Sequence, residues 1–118
     1  MITPTFIENI KDKIHSVDKS AQVYLYGSRA KQTARNDSDW DLLILVDKDK
    51  VSIADEQRFR HELVDLEVKY DQAISTLVYP SNEWKTKYSV TPLYANISKE
   101  GILLWTNSNS IPNILSIE

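Results

Sequence analysis

The chain has 118 residues, of which 42% are hydrophobic, and this size suits one domain with a modest core. It contains no cysteine, which excludes a disulfide framework and a thiolate metal site, and no apolar run approaches the roughly 20 residues of a membrane-spanning helix. A net charge of −3 and a pI near 5.4 argue against a broad nucleic-acid-binding groove. We therefore expect a single cytoplasmic domain over residues 1–118, with no membrane segment and with a loosely held tail over residues 106–118.

The first two predicted elements are an amphipathic helix and a short strand. Thr3 and Pro4 form a typical helix start, and apolar residues then recur at helical spacing, which predicts a helix that extends to Lys19. The residues on this apolar face are Phe6, Ile7, Ile10, Ile14 and Val17. The next apolar run, residues 22–26, is short and rich in β-formers, so it predicts the first strand.

A glycine and a serine follow this strand directly. Gly27 has no side chain and lets a phosphate approach the backbone, while Ser28 offers a hydroxyl beside the free N–H groups of a helix start. An ordinary turn in which Ser28 caps the helix is the alternative interpretation. Glycine occurs only at positions 27 and 101, so its use between a strand and a basic segment favours the phosphate site.

The segment after the glycine is locally basic within an acidic chain. Arg29, Lys31 and Arg35 precede Asp39 with a single intervening acid. Cations of this kind offset the charge of the non-transferred phosphates of a nucleoside triphosphate. Solvated helix residues are the alternative interpretation of Arg29 and Lys31. The predicted nucleotide-binding residues are Gly27, Ser28, Arg29 and Arg35.

Two aspartates stand at the start of the second predicted strand, residues 40–46. Asp39 and Asp41 are two positions apart, so in an extended chain both carboxylates point to the same face. Carboxylate oxygens are the ligands that Mg²⁺ prefers. We predict Asp39 and Asp41 as catalytic residues and as ligands of Mg²⁺; the alternative is a polar turn that leads into a strand. Beyond Asp41 the run is apolar on both faces, which is typical of a central strand covered by helices.

Later apolar patterns predict the rest of the fold. They indicate a helix over residues 52–70, a strand over 73–79, a helix that begins at 80–81, a short helix over 92–99 and a strand over 102–105. The order of these elements predicts an α/β fold, in which helices flank a small β-sheet of about four strands.

The C-terminal third is rich in aromatic residues. They are Trp84, Tyr88, Tyr94 and Trp105. This number exceeds what a small core needs, and aromatic side chains left at the surface favour protein interfaces. Packing into the core is the alternative interpretation. The aromatic third therefore predicts a contact surface for a protein partner.

The motif as a whole resembles a known signature. A glycine-serine pair, ten intervening residues and then Asp-x-Asp resemble the signature of the DNA polymerase β-like nucleotidyltransferases. The resemblance extends to residues 74–84 and 92–101. Within this family, the chain looks like the minimal nucleotidyltransferases of prokaryotes. It implies a mixed sheet with the active site on two neighbouring strands. It also implies Mg²⁺-dependent use of ATP or another NTP, and pairing with a small helical toxin of the HEPN ribonuclease type.

The sequence departs from this family at the third carboxylate. Two-metal nucleotidyl transfer uses three carboxylates, and alignment of the strand before Trp84 puts Ser75 at the third position. Serine cannot act as a carboxylate ligand or base at neutral pH. Asp71, four strand residues earlier, would lie roughly 13 Å from Ser75, too far to replace it. Two further acids on the preceding helix, Asp65 and Glu67, are expected to face water.

Two functions therefore follow from the sequence. In the first, the protein transfers a nucleoside monophosphate from an NTP, with ATP as the expected donor, to a hydroxyl of a cognate toxin. In the second, the protein is a catalytically weak or inactive antitoxin that binds nucleotide and neutralises its partner by direct contact. The neutral side chain of Ser75 is the feature that keeps the second alternative open.

Overall fold

A four-stranded sheet lies at the centre of the computed structural model, which describes residues 4–35 and 37–105. In chain order the elements within these ranges are α1 (Pro4–Val17), β1 (Gln22–Tyr26), α2 (Gly27–Lys31), β2 (Trp40–Val46), α3 (Ile53–Tyr70), β3 (Ile74–Pro80), α4 (Ser81–Thr86), α5 (Pro92–Glu100) and β4 (Ile102–Trp105). The predicted tail and Thr3 lie outside the described residues, so a single domain over the full length stays a prediction. None of the described helices is both long and apolar enough to cross a membrane.

The sheet is mixed, as the resemblance implies. Its strand order is β3-β2-β1-β4, and β1 is antiparallel to β2 and β4, whereas β2 and β3 are parallel. The end of β1 therefore lies beside the starts of β2 and β3. In this register Asp41 has Tyr26 as its partner on one side and Ser75 on the other. The glycine turn, the two aspartates and Ser75 therefore lie together at one end of the sheet, where β1 ends and β2 and β3 begin.

Two long helices, α1 and α3, cover one face of the sheet. The predicted apolar face of α1 is buried, with Phe6 fully inaccessible and its ring 5.1 Å from that of Trp40. The ring of Tyr70, at the end of α3, lies 4.9 Å from Phe6, and its hydroxyl accepts a hydrogen bond of 2.9 Å from Asn9 Nδ2. The core on this face is continuous from both helices to the sheet. It includes Ile10, Ile14, Val23, Leu25, Leu42, Ile44, Phe59 and Leu63.

The opposite face carries a second cluster, which is rich in aromatic rings. Trp84 on α4 is only 5% exposed and stacks on Tyr79 with 5.8 Å between ring centroids. Tyr88 and Tyr94 are half-buried against the same indole, at 6.3 and 5.2 Å. The prediction of a surface aromatic patch is therefore wrong for Trp84, because α4 and α5 must bury their apolar side chains on this face of the sheet. The side chain of Trp105 lies outside the described part of the structure.

Three predicted strands are confirmed at both ends, and the predicted bounds of α1, α3, β3 and α5 differ from the structure by one or two residues. The bounds of β1, β2 and β4 agree with the predicted strands. Helix α1 ends before Lys19 because the Asp18 carboxylate accepts hydrogen bonds from the N–H and hydroxyl of Ser20, at 2.9 and 2.7 Å, which forms a turn. Helix α3 begins after Ser52, whose hydroxyl forms a capping box with Asp55.

The connection from α3 to β3 corrects one expectation from the sequence. Glu67 does not face water: its carboxylate accepts a hydrogen bond of 2.8 Å from the N–H of Ile74 and one of 3.1 Å from the Arg60 guanidinium. This carboxylate therefore fixes the first residue of β3. Asp65 is exposed, as expected. Asp71 ends α3 in the left-handed conformation with a φ of 53°, so it is not part of β3.

Candidate active site

Gly27 determines how close the two halves of the site can come. It is the first residue of α2 and has a φ of +75°, a conformation that side chains disfavour. A Cβ at this position would lie 3.3 Å from Cγ of Asp41 and closer still to one of its carboxylate oxygens. The absence of a side chain is therefore what lets the Asp41 carboxylate lie against the glycine turn.

Ser28 lies in the first turn of α2 and is half-buried. The capping alternative does not apply to it, because the N-cap is Tyr26, which makes no side-chain capping hydrogen bond. The carbonyl of Ser28 accepts a hydrogen bond of 3.0 Å from the N–H of Thr33, which closes the turn after α2. The predicted contact of the Ser28 hydroxyl with phosphate stays a prediction.

The two aspartates share a face but differ in environment. Asp39 precedes β2 and is exposed, whereas Asp41 lies within β2 and is half-buried. Burial, and to a smaller extent the neighbouring Asp39 carboxylate, raise the pKa of Asp41 above its ordinary value. Burial and then Asp41 likewise raise the pKa of Tyr26, the register partner of Asp41 on β1. At this end of the sheet the protein therefore disfavours the charged form of both side chains.

Ser75 is in contact with this pair. Its hydroxyl donates a hydrogen bond of 3.2 Å to Oδ2 of Asp39, and its backbone is in register with Asp41. The side chains at positions 39, 41 and 75 therefore meet on one face, at the place where the alignment expects three carboxylates. That Ser75 stands in the place of the third carboxylate stays a prediction.

The carboxylate pair fits a magnesium ion that is held together with substrate. Among the described residues, no group of three or more histidine, cysteine, aspartate or glutamate side chains could hold a metal ion. Mg²⁺ in nucleotide-dependent enzymes is usually bound by one or two carboxylates plus the phosphates of the substrate, which two aspartates can satisfy. Burial and, second, repulsion from Asp39 raise the pKa of Asp41, and a cation between the two carboxylates would relieve this repulsion.

Arg29 has structural contacts that the sequence did not predict. Its guanidinium donates hydrogen bonds to the carbonyl of Ser38, at 3.0 Å, and to Oε1 of Gln72, at 3.1 Å, and it lies 4.6 Å above the Trp40 ring. Trp40 Nε1 donates to the same Gln72 oxygen at 3.0 Å. Arg29 therefore ties α2 to the segment that precedes β2, and so helps to fix Asp39. Its predicted contact with phosphate stays a prediction.

Arg35 lies in the connection from α2 to β2. Its side chain is 84% exposed and forms a long ion pair of 3.8 Å with Asp37. Its backbone N–H donates to the Ser38 hydroxyl at 2.8 Å, which closes a turn just before Asp39. The structure thus gives Arg35 a backbone role in this turn and leaves its side chain in solvent, and its predicted contact with nucleotide stays a prediction.

Sequence reasoning missed Gln72 and Glu67, which hold the strand starts in place. Gln72 accepts two hydrogen bonds, and Glu67 caps the first residue of β3. Neither lies on an apolar face or in a motif, so periodicity gave no signal for them. The only available signal was indirect: a buried tryptophan such as Trp40 needs an acceptor for its indole N–H.

Comparison with known families decides the assignment. The family model described as polymerase beta, nucleotidyltransferase matches residues 8–110. The chain belongs to the polymerase β nucleotidyltransferase family. The four-stranded mixed sheet, with five helices among the described residues, is the fold of this family's structural neighbours.

Several solved structures share this nucleotidyltransferase fold. A toxin-antitoxin structure with AMP-PNP matches with a TM-score of 0.60 and 17% identity, over 85% of this chain and 73% of that one. A tri-AMPylated HEPN toxin of Shewanella oneidensis in complex with the MNT antitoxin matches with a TM-score of 0.59 and 15% identity, over 89% and 73%. At these identities the similarity establishes the fold. No curated protein sequence matches the chain.

Proposed function

We propose that this protein is a Mg²⁺-dependent nucleotidyltransferase that transfers a nucleoside monophosphate from ATP, or another NTP, to a hydroxyl of a partner protein. One observation carries the proposal: the bare Gly27 leaves room for the Asp41 carboxylate directly against the glycine-serine turn. A site for phosphate and a site for a divalent cation are then adjacent. This adjacency is what nucleotidyl transfer requires and what an ordinary turn has no use for.

The residues of the site have distinct roles in the proposal. Gly27 and Ser28 bind the phosphates through backbone N–H groups and the serine hydroxyl. Asp39 and Asp41 hold Mg²⁺, which, when bound, neutralises phosphate charge and polarises the α-phosphate. The cations Arg29 and Arg35 offset the remaining charge of the triphosphate. Because ATP is the donor, we expect the protein to act in the cytoplasm.

The proposed partner is a small helical toxin of the HEPN type. Two observations on structural neighbours support it: one neighbour contains AMP-PNP, and another contains an AMPylated HEPN toxin together with its antitoxin. A protein hydroxyl as acceptor is consistent with both points.

A second function is favoured by one feature of this site. Ser75 supplies a neutral hydroxyl, in contact with Asp39, where a third carboxylate would assist activation of the acceptor. A protein with this site can bind Mg·NTP and still transfer slowly or not at all. In that case it acts as an antitoxin that neutralises its partner by direct contact, with the nucleotide site as a regulator.

The two functions are separated by a labelling experiment. The protein is incubated with Mg²⁺, its genomic neighbour product and ATP labelled either on the α-phosphate or on the γ-phosphate. Nucleotidyl transfer labels the neighbour product from α-labelled ATP only, and the Asp39→Asn/Asp41→Asn protein abolishes the label. A stable complex on size exclusion with no label and no mass gain supports the contact antitoxin. If the protein forms no complex with any neighbouring gene product and labels none of them, both proposals are contradicted.

A further inference from the structure

One hydroxyl of the protein itself contacts the proposed metal site. Ser75 is exposed, lies in the edge strand β3, and donates a hydrogen bond of 3.2 Å to Asp39 Oδ2 while its backbone is in register with Asp41. An exposed hydroxyl beside a site for Mg²⁺ and nucleotide can act as the nucleophile in group transfer. The Ser75 side chain lies on the same face as Asp39 and Asp41.

Other hydroxyls near the site are less suited to react. The Ser38 hydroxyl already accepts the N–H of Arg35 at 2.8 Å, and it closes a turn. Tyr26 is half-buried, and burial raises its pKa. Thr76 follows Ser75 in an extended strand, so its side chain points to the opposite face. Ser75 thus combines exposure, contact with a carboxylate and the correct face.

We propose that Ser75 is an acceptor of the nucleotidyl group, so that the protein modifies itself when it holds Mg·NTP. This inference rests on the proposed function and deepens it, because it names a second acceptor at the same site. A self-modified Ser75 would occupy the place next to Asp39 and Asp41 with a nucleotide. The modification would therefore limit further transfer to a partner.

The reaction balances without any further reactant. The Ser75 oxygen forms a bond to the α-phosphorus of the NTP, and the bond from that phosphorus to the oxygen bridging to the β-phosphate breaks. Pyrophosphate leaves, and the proton of the exposed Ser75 hydroxyl passes to water. The product is a phosphodiester between Ser75 and the nucleoside monophosphate.

The test uses the full chain alone, with ATP and Mg²⁺ and without any partner. We expect an intact-mass gain of one AMP per chain, mapped by peptide mass spectrometry to the peptide that contains Ser75. Ser75→Ala should abolish the gain, Ser75→Thr should retain part of it, and Ser89→Ala should leave it unchanged. Ser89 is the matched control because it is an exposed serine in the turn after α4, hydrogen-bonded to the Thr86 carbonyl at 2.8 Å.

Two further measurements separate this proposal from the one on which it rests. The melting temperature of Ser75→Ala with Mg·ATP should rise as it does for the native chain, since the phosphate and metal residues are intact. The adduct should also resist hydroxylamine, whereas an adduct on Asp39 or Asp41 would be released. A gain that persists in Ser75→Ala, maps elsewhere or is released by hydroxylamine overturns the inference. So does a native chain that binds Mg·ATP and labels its partner but never itself, and this result leaves the proposed function standing.

Discussion

The two faces of the sheet differ in composition although β2 contributes to both. Residues at even positions of β2, from Trp40 to Val46, enter the core beneath α1 and α3 and are all apolar. On the other face, Asp39 directly before the strand and Asp41 within it are charged, and the strand is apolar only from Leu43 onward. The first face therefore stabilises the fold along its whole length, whereas the second is divided between chemistry at one end and aromatic packing at the other.

This contrast explains how a small domain accommodates a charged site. The carboxylates stand at the end of β2 that abuts the glycine turn, where one face of the strand is open to solvent, and Trp40 anchors the same segment from the other face. The indole contacts Phe6 and donates to Gln72. Core residues and site residues alternate along β2. A substitution in the core should therefore leave nucleotide binding measurable, and a substitution in the site should leave the core intact. Substitutions on each face test this independence.

The largest expected effect comes from Ser75→Asp. A third carboxylate beside Asp39 should raise nucleotidyl transfer to the partner by roughly 10²–10⁴-fold, the usual value of a ligand or base at the acceptor. It should also make the nucleotide-free protein less stable and more dependent on Mg²⁺, because like charges then crowd one edge. Transfer is measured with α-labelled ATP, and stability by thermal melting with and without Mg²⁺.

Ser75→Asn is the matched control for this change. Asparagine has the shape of aspartate without its charge, so it should give no new dependence on Mg²⁺ and only the gain in transfer that loss of self-modification at position 75 allows. If the aspartate variant stays at the native level in both measurements, Ser75 does not occupy the place of the third carboxylate, and the alignment of β3 is wrong.

Phe6→Ala tests the first face. Phe6 is fully buried and contacts two aromatic rings, so its removal should lower the free energy of unfolding by about 3–5 kcal/mol. The rise in melting temperature that Mg·ATP produces should persist in the folded variant, since no site residue is changed. Denaturant titration with and without Mg·ATP measures both quantities. Loss of the nucleotide response would show that the two faces are coupled through Trp40.

The predictability of the molecule follows the same division. Local patterns sufficed for the apolar face of α1 and for the bounds of β2, because burial of apolar residues follows the spacing of each element, and the two-residue spacing of Asp39 and Asp41 placed both on one face. The contacts of Glu67 with Ile74 and of Gln72 with Arg29 were missed, since they join residues without periodic signal across turns. The exposure of Trp84 was misjudged because composition does not say which face a short helix buries.

Mg·ATP should stabilise the native protein through the second face. At a free concentration 100 times the Kd, the linkage gain is about 2.7 kcal/mol, a clear rise in melting temperature for a domain of this size. Asp39→Asn combined with Asp41→Asn should remove the Mg²⁺-dependent part of this rise, because the ligands of the cation are lost. Thermal melting with each of the four NTPs, with Mg²⁺ or with EDTA, measures it. An unchanged curve for the native protein with all four NTPs would contradict the nucleotide site.

The two glycines offer a smaller and well-matched test. A Cβ at Gly101 would crowd the carbonyl of Ile97, and a Cβ at Gly27 would crowd Asp41. Gly27→Ala and Gly101→Ala should therefore each lower the free energy of unfolding. For Gly27, whose φ is positive, the loss should be about 1–2 kcal/mol. Only Gly27→Ala should also reduce the rise in melting temperature with Mg·ATP, because it displaces a metal ligand. Equal nucleotide responses in both variants would show that Asp41 does not depend on the bare glycine.

The smallest expected effect is the pH dependence of the nucleotide-free protein. Burial and Asp39 raise the pKa of Asp41 above its ordinary 3.8, so the folded state holds this proton more tightly than the unfolded state. Stability should therefore decline as pH rises from about 3.8 through the folded pKa, and Asp41→Asn should remove this decline and raise the melting temperature at neutral pH. Asp55 has the opposite sign: hydrogen bonds from Lys48 and Ser52 lower its pKa to about 2, so its contribution is present above the ordinary value of 3.8 and is lost as pH falls toward 2.

Melting curves between acidic and neutral pH distinguish the two acids. Asp55→Asn should lower the melting temperature at neutral pH. Asp41→Asn should melt above the native protein without nucleotide. With Mg·ATP it should melt below the native protein, because the cation needs the charge of Asp41. This reversal is specific to a carboxylate kept for binding at the expense of stability. If Asp41→Asn destabilises the nucleotide-free protein, the Asp41 carboxylate contributes to the fold, and the division of the second face between chemistry and packing is incorrect.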